Sequence, residues 1–207
     1  MARDNKPKQS QMRARIAAAA ARLMAEDGVD DFALAKRKAA RQLGATDTQA
    51  LPANEEVEAE LRAYQALYQG DEQRERIREL RAVALDAMRS LARFRPYLCG
   101  PVLKGTAGRY ADIDLQLFPD DNKSVELFLV NRNVRYEVSE TRHFCGDEPR
   151  SVPILRLEWQ GIPVNAAVYA AKDERAALKT TLLGRPIERA GIPAVAALVD
   201  GDPDGDD

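Results

Sequence analysis

Two acidic side chains, Asp112 and Asp114, stand one residue apart inside the apolar run Ala111–Phe118, ADIDLQLF. On a β-strand, residues two apart share a face. Both carboxylates then point one way, while Ile113, Leu115 and Leu117 point the other way into a core. Two carboxylates held on one face repel each other unless a cation lies between them. A hard divalent ion suits such a pair, and Mg²⁺ is commonly held by one or two carboxylates together with substrate phosphates. The alternative is an exposed edge strand on which the two aspartates do nothing but meet water.

Glycines upstream add a second element to this chemistry. The stretch Tyr97–Phe118 reads YLCGPVLKGTAGRYADIDLQLF, with Gly100 ending one apolar run and Gly105 following before the aspartates. Glycine lets backbone N–H groups approach a polyanion and form an anion-binding concavity. In this respect the chain resembles the nucleotidyltransferase superfamily, the polymerase-β-like fold. Its signature is a strand, a Gly-Ser turn, a second glycine, and Asp-hydrophobic-Asp on the next strand. Gly100, Gly105, Asp112 and Asp114 match in register, but Pro101 stands where that family usually has serine. Proline removes a hydroxyl and a backbone donor, and Thr106 is the nearest replacement for the hydroxyl.

A second match lies at Val152–Tyr169, VPILRLEWQGIPVNAAVY, two apolar strands around a Gln160-Gly161 turn. Polymerase-type members carry a third carboxylate at the position occupied here by Asn165. Asparagine offers a carbonyl oxygen but neither negative charge nor basicity, and loss of a general base typically removes on the order of 10²–10⁴ in rate. Glu158 replaces that carboxylate only if its side chain faces Asp112 and Asp114.

The resemblance implies Mg²⁺-dependent transfer of a nucleoside monophosphate from an NTP to a hydroxyl on an RNA, protein or small-molecule acceptor. In that reading Asp112 and Asp114 bind the metal and Asn165 is an altered third catalytic position. Gly100, Lys104, Gly105, Thr106 and Arg109 contact the nucleotide. The other reading is a non-catalytic relative that keeps the pocket for nucleotide binding or regulation, with nucleic-acid or protein binding through its helical half.

The elements that must position these residues are legible in the periodicity. Of 207 residues, 31% are charged and the formal net charge is −2, an ordinary composition for a globular chain. No apolar run approaches the ~20 residues that cross a bilayer, and the N-terminus lacks the apolar core of a secretory signal, so a cytoplasmic location is expected. Cys99 and Cys145 are too few for a disulfide framework or a zinc site. Cys99 reads as a small buried hydrophobe, and His143 as a surface or strand-end residue.

Residues 1–10 are polar and expected to be disordered. Helices are expected at Gln11–Glu26, Phe32–Leu43, Glu55–Tyr68 and Glu72–Phe94, each with apolar residues at helical spacing. The first of these resembles the opening helix of tetracycline-repressor-type regulators over about two dozen residues. The second carries Lys36, Arg37, Lys38 and Arg41, a charge set that suits either phosphate contacts or plain solvation. Strands are expected from Tyr97, Ala111, Arg135, Val152 and Ile162. Lys123–Val130 fits helix or strand, Gly146–Arg150 reads as a loop, and Asp173–Leu182 as a short helix. The fold class is therefore α+β: a helical region over residues 11–95, then a nucleotidyltransferase-like mixed sheet flanked by helices over 96–199, and an acidic tail, 200–207.

Overall fold

The computed structural model describes residues 5–29, 31–45, 51–68, 70–108, 110–182 and 184–201, with side chains described for these except 5–8 and 66–72. Within them the chain is mixed α/β: seven α-helices and one open, mixed sheet of seven strands. The acidic tail beyond residue 201 lies outside the described residues. No described helix is long and apolar enough to cross a membrane.

Two compact units emerge: residues 1–75 with 106–111, and residues 76–105 with 112–207. The division falls inside one helix and so separates the sheet's leading helix from the other three.

The first unit is helical. It contains α1 (Asn5–Asp27), α2 (Phe32–Gln42), α3 (Asn54–Tyr68) and the first turns of α4 (Gly70–Ser90). Asn5–Ser10, expected to be disordered, instead forms the start of α1, because alanine-rich sequence downstream propagates a helix once it is nucleated. Ile16, Ala20, Leu23 and Met24 of α1 pack with Ala35 and Ala39 of α2 and Val57 and Leu61 of α3. Asp31 caps α2, its Oδ1 accepting from Leu34 N–H at 2.7 Å. Glu56 does the equivalent for α3, accepting from the Ala53 N–H at 2.6 Å, the backward half of a capping box. Arg13 of α1 donates to the same carboxylate, and these bonds hold Glu56 below the usual carboxylate range.

The second unit is built on the sheet. Its strands are β1 (Tyr97–Cys99), β2 (Ile113–Leu117), β3 (Tyr136–Cys145), β4 (Glu148–Trp159), β5 (Ile162–Val168), β6 (Leu178–Lys179) and β7 (Arg189–Gly191). Its helices are the rest of α4, the short α5 (Gly100–Lys104), α6 (Lys123–Asn131) and α7 (Ile192–Asp200). The strand order is β6-β3-β4-β5-β2-β1-β7. β2 and β5 run parallel, and every other pair is antiparallel. One sheet face carries Leu98, Ile113, Leu115, Leu117, Leu155, Leu157, Val164, Ala166 and Val168, all buried. Leu80, Ala84, Ala87 and Met88 of α4, Leu91 just after it, and Val125 and Leu129 of α6 are buried as well. The opposite face is apolar at one end only, where Phe118, Val152, Ala167, Tyr169 and Leu178 cluster.

Three sequence expectations are corrected here. The loop Gly146–Arg150 shrinks to Gly146 and Asp147, since strand pairing continues to Cys145↔Glu148. Pro149 is tolerated because β4 has a partner on one side only at that point. The short helix Asp173–Leu182 is a 3₁₀ turn, Ala171–Arg175, followed by β6, which pairs with Phe144 and Cys145. Burial of Leu178 at 3% exposure in the aromatic cluster overrides its helical propensity. His143 is not at a strand end: it lies within β3, its ring stacked on Tyr169 with centroids 6.0 Å apart. Cys99, at 8% exposure, is the small buried residue expected, and its thiol is pushed up by burial and by Asp114.

Candidate functional site

β2 determines where the two aspartates point. Asp112 immediately precedes the strand and Asp114 is its second residue, on the face opposite Ile113 and Leu115. Parallel pairing puts Asn165 of β5 beside Asp114. The Asn165 amide Nδ2 donates to Asp112 Oδ2 at 3.1 Å and to Asp114 Oδ1 at 3.2 Å. The two carboxylates therefore converge on one point, and the asparagine nitrogen occupies it. Arg156 of β4, paired with Asn165 across the sheet, adds an ion pair to Asp112 Oδ2 at 3.3 Å.

Gly100 makes the room for this arrangement. Its φ is +71°, and a Cβ there would lie 2.5 Å from Asp114 Oδ2 and 3.3 Å from that residue's Cβ and Cγ. Any side chain at 100 would evict the carboxylate, so the glycine is required both by its backbone and by its neighbour. Gly100 opens α5, a single turn rather than an open loop, with Pro101 at its start and Gly105 closing it in the left-handed conformation. Proline in the first helical turn gives up a donor that has no intrahelical partner in any case. Arg81 of α4 holds the other end of α5, donating to the carbonyls of Val102 at 3.2 Å and Leu103 at 3.0 Å. Lys104 is the last residue of α5.

Three sequence candidates remain. Thr106 belongs to the helical unit, 7% exposed, and its carbonyl accepts from Gln65 Nε2 at 3.4 Å. Arg109 lies outside the described residues. Glu158 does face the same side of the sheet as Asn165, but it lies on β4, where it pairs with Pro163 of β5, so β5 separates it from β2. At ~4.8 Å per strand it stands roughly 10 Å from the aspartates' strand. Among the described residues no three His, Cys, Asp or Glu side chains gather within metal-ligand reach. The carboxylate ligands on offer are therefore two.

These residues fit a hard divalent ion as a donor set. Turned over about its terminal torsion, the Asn165 amide presents Oδ1 to the point that Nδ2 now fills, so two carboxylates and a carbonyl oxygen would face the ion. The glycine at 100 leaves room for the second oxygen of Asp114.

Arg156 is the participant that sequence reasoning missed. Its position two residues before Glu158 in VPILRLEW marks the correct face, but only the β4–β5 register shows that it reaches Asp112. No family model matches this chain, and no curated protein or solved structure matches it either.

Proposed function

We propose that the β1–α5–β2 end of the sheet binds a nucleoside triphosphate together with Mg²⁺, as the likeness to nucleotidyltransferases implies. Asp112 and Asp114 would hold the ion, and Asn165 would turn its carbonyl oxygen to it. Gly100 and Gly105 bracket the turn that faces the phosphates, with Lys104 as a nearby cation. The bound ion would offset the negative charge of the triphosphate and its leaving group. The observation that carries this reading is the meeting of both carboxylates at the Asn165 amide, in space that only glycine at 100 leaves open.

The strand-helix-strand path from Tyr97 to Leu117, with α4 before it, supports the nucleotidyltransferase-like flanking as part of the same proposal. One feature favours the non-catalytic relative as the second reading. Asn165 cannot accept the proton of an attacking hydroxyl, and no other described carboxylate joins Asp112 and Asp114.

Calorimetric titration of NTPs with and without Mg²⁺ tests the site: binding should require the metal and vanish in Asp112→Ala/Asp114→Ala. Binding that ignores the double substitution would sink the proposal. Labelled NTPs offered with RNA, protein and small-molecule acceptors then separate enzyme from pseudoenzyme. Transfer by wild type supports the first reading, whereas transfer gained only in Asn165→Asp supports the second.

A further inference from the structure

Arg156 supplies Asp112 with a cation from the chain itself. The contact is a loose one. It uses one N–H of the guanidinium at 3.3 Å, to an oxygen that already accepts from Asn165, and the arginine side chain is 58% exposed. Other acceptors stand close by on the same sheet face. Glu137 of β3 is directly opposite Arg156 in the register, and Glu158 is two residues along the same strand. Arg156, Glu137 and Glu158 line one cleft of about 690 Å³. Among the described residues, neither glutamate holds a hydrogen bond or ion pair of its own. The arginine thus shares one sheet face with three carboxylates and is engaged with one.

A divalent ion entering between Asp112 and Asp114 would share Asp112 with this guanidinium, and like charges on one oxygen repel. We propose that Arg156 is a displaceable counter-ion. It neutralises Asp112 while no divalent ion is bound, and it transfers to Glu137 or Glu158 when one arrives. The inference rests on the reading of Asp112 and Asp114 as cation ligands. It makes the divalent affinity of the site a property of the β3–β4 pair as well as of β2.

The test is Mn²⁺ binding to the full chain, read from the free-ion paramagnetic resonance signal. Arg156→Met has similar length but neither charge nor oxygen, and should bind Mn²⁺ about tenfold more tightly than wild type. Glu137→Gln/Glu158→Gln removes the arginine's alternative partners and should bind about threefold more weakly. Arg156→Lys, which retains the charge, should stay near wild type. Affinity unchanged or reduced in Arg156→Met, with wild-type binding still abolished by Asp112→Ala/Asp114→Ala, overturns the counter-ion role and leaves the cation site standing. Absence of Mn²⁺ binding in wild type and in Arg156→Met alike overturns both.

Discussion

Two arginines stand in the same row of side chains across the sheet, on either side of Asn165 and Asp114. From β4 to β7 the register runs Arg156, Asn165, Asp114, Cys99, Arg189. At one end Arg156 is more than half exposed and touches a single carboxylate oxygen. At the other, Arg189 donates to Gln116 Oε1 at 3.4 Å and to the Glu174 carbonyl. Its guanidinium also lies over the rings of Tyr97 and Phe118, 4.9 and 5.1 Å from their centroids. A guanidinium whose donors and faces are both used is part of the scaffold. One that uses a single donor beside two further carboxylates is free to exchange. The same residue type in the same row therefore does structural work at one end and is available for chemistry at the other.

Breaking the scaffold end should have the largest effect. Arg189→Ala would leave Gln116, 1% exposed, without the partner of its side-chain oxygen and would remove both ring contacts. An orphaned buried acceptor and lost cation–π contacts together cost about 3 kcal/mol. The sheet unit should melt roughly 6–12 °C lower, measured by thermal denaturation. A loss no greater than that of Arg156→Ala would erase the distinction drawn between the two arginines.

Gly100→Ala should come next, at about 2 kcal/mol, since it combines a left-handed backbone with a close contact to Asp114. It also sharpens the comparison. Stability should fall by less than in Arg189→Ala, while Mg²⁺-dependent nucleotide binding should disappear, because Asp114 is pushed off the shared point. Calorimetry on the folded variant separates the two effects. Retention of metal-dependent binding would remove Gly100 from the site.

How far these ends were legible beforehand differs for a physical reason. Local patterns are written in the sequence: the alternation of Ile113, Leu115 and Leu117 placed Asp112 and Asp114 on one face, and the Gln160-Gly161 turn fixed the β4–β5 hairpin. Both turn residues have positive φ, 51° and 79°, as a two-residue hairpin turn favours. Partners on distant strands are not written there. The pairing that brings Arg156 to Asp112 spans 44 residues, and that between Arg189 and Gln116 spans 73. β6, two residues long, reads in sequence as part of a helix because its reason for existing is the Phe118–Tyr169 cluster in which Leu178 is buried. The nucleotide contacts expected of Thr106 and Arg109 rest on the resemblance alone.

A smaller effect is expected from the aromatic cluster at the scaffold end. A hydrogen bond of 2.6 Å joins His143 Nδ1 and the Tyr169 hydroxyl oxygen, and burial lowers the His143 pKa from its ordinary 6.5. The folded chain therefore resists protonation more than the unfolded chain does. That stability is fully present above pH 6.5 and is lost as pH falls through the depressed folded value. His143→Gln lacks this group, so its deficit relative to wild type should narrow between pH 7.5 and pH 5.5 in parallel denaturant titrations. A gap that widens on acidification would mean the imidazole is charged in the fold.

The smallest stability change should be that of Arg156→Ala, and its smallness is the sharpest test of the comparison. The pair with Asp112 is long, single-pronged and solvent-washed, the class of contact worth about 0–1 kcal/mol. Removing it also relieves the guanidinium of its ordering and leaves Asp112 still bonded to Asn165. Denaturant midpoints of wild type and Arg156→Ala should differ by less than about 0.5 kcal/mol. A loss approaching that of Arg189→Ala would show that the arginine anchors β4 to β2, and an anchoring residue cannot also be one that leaves when a cation arrives.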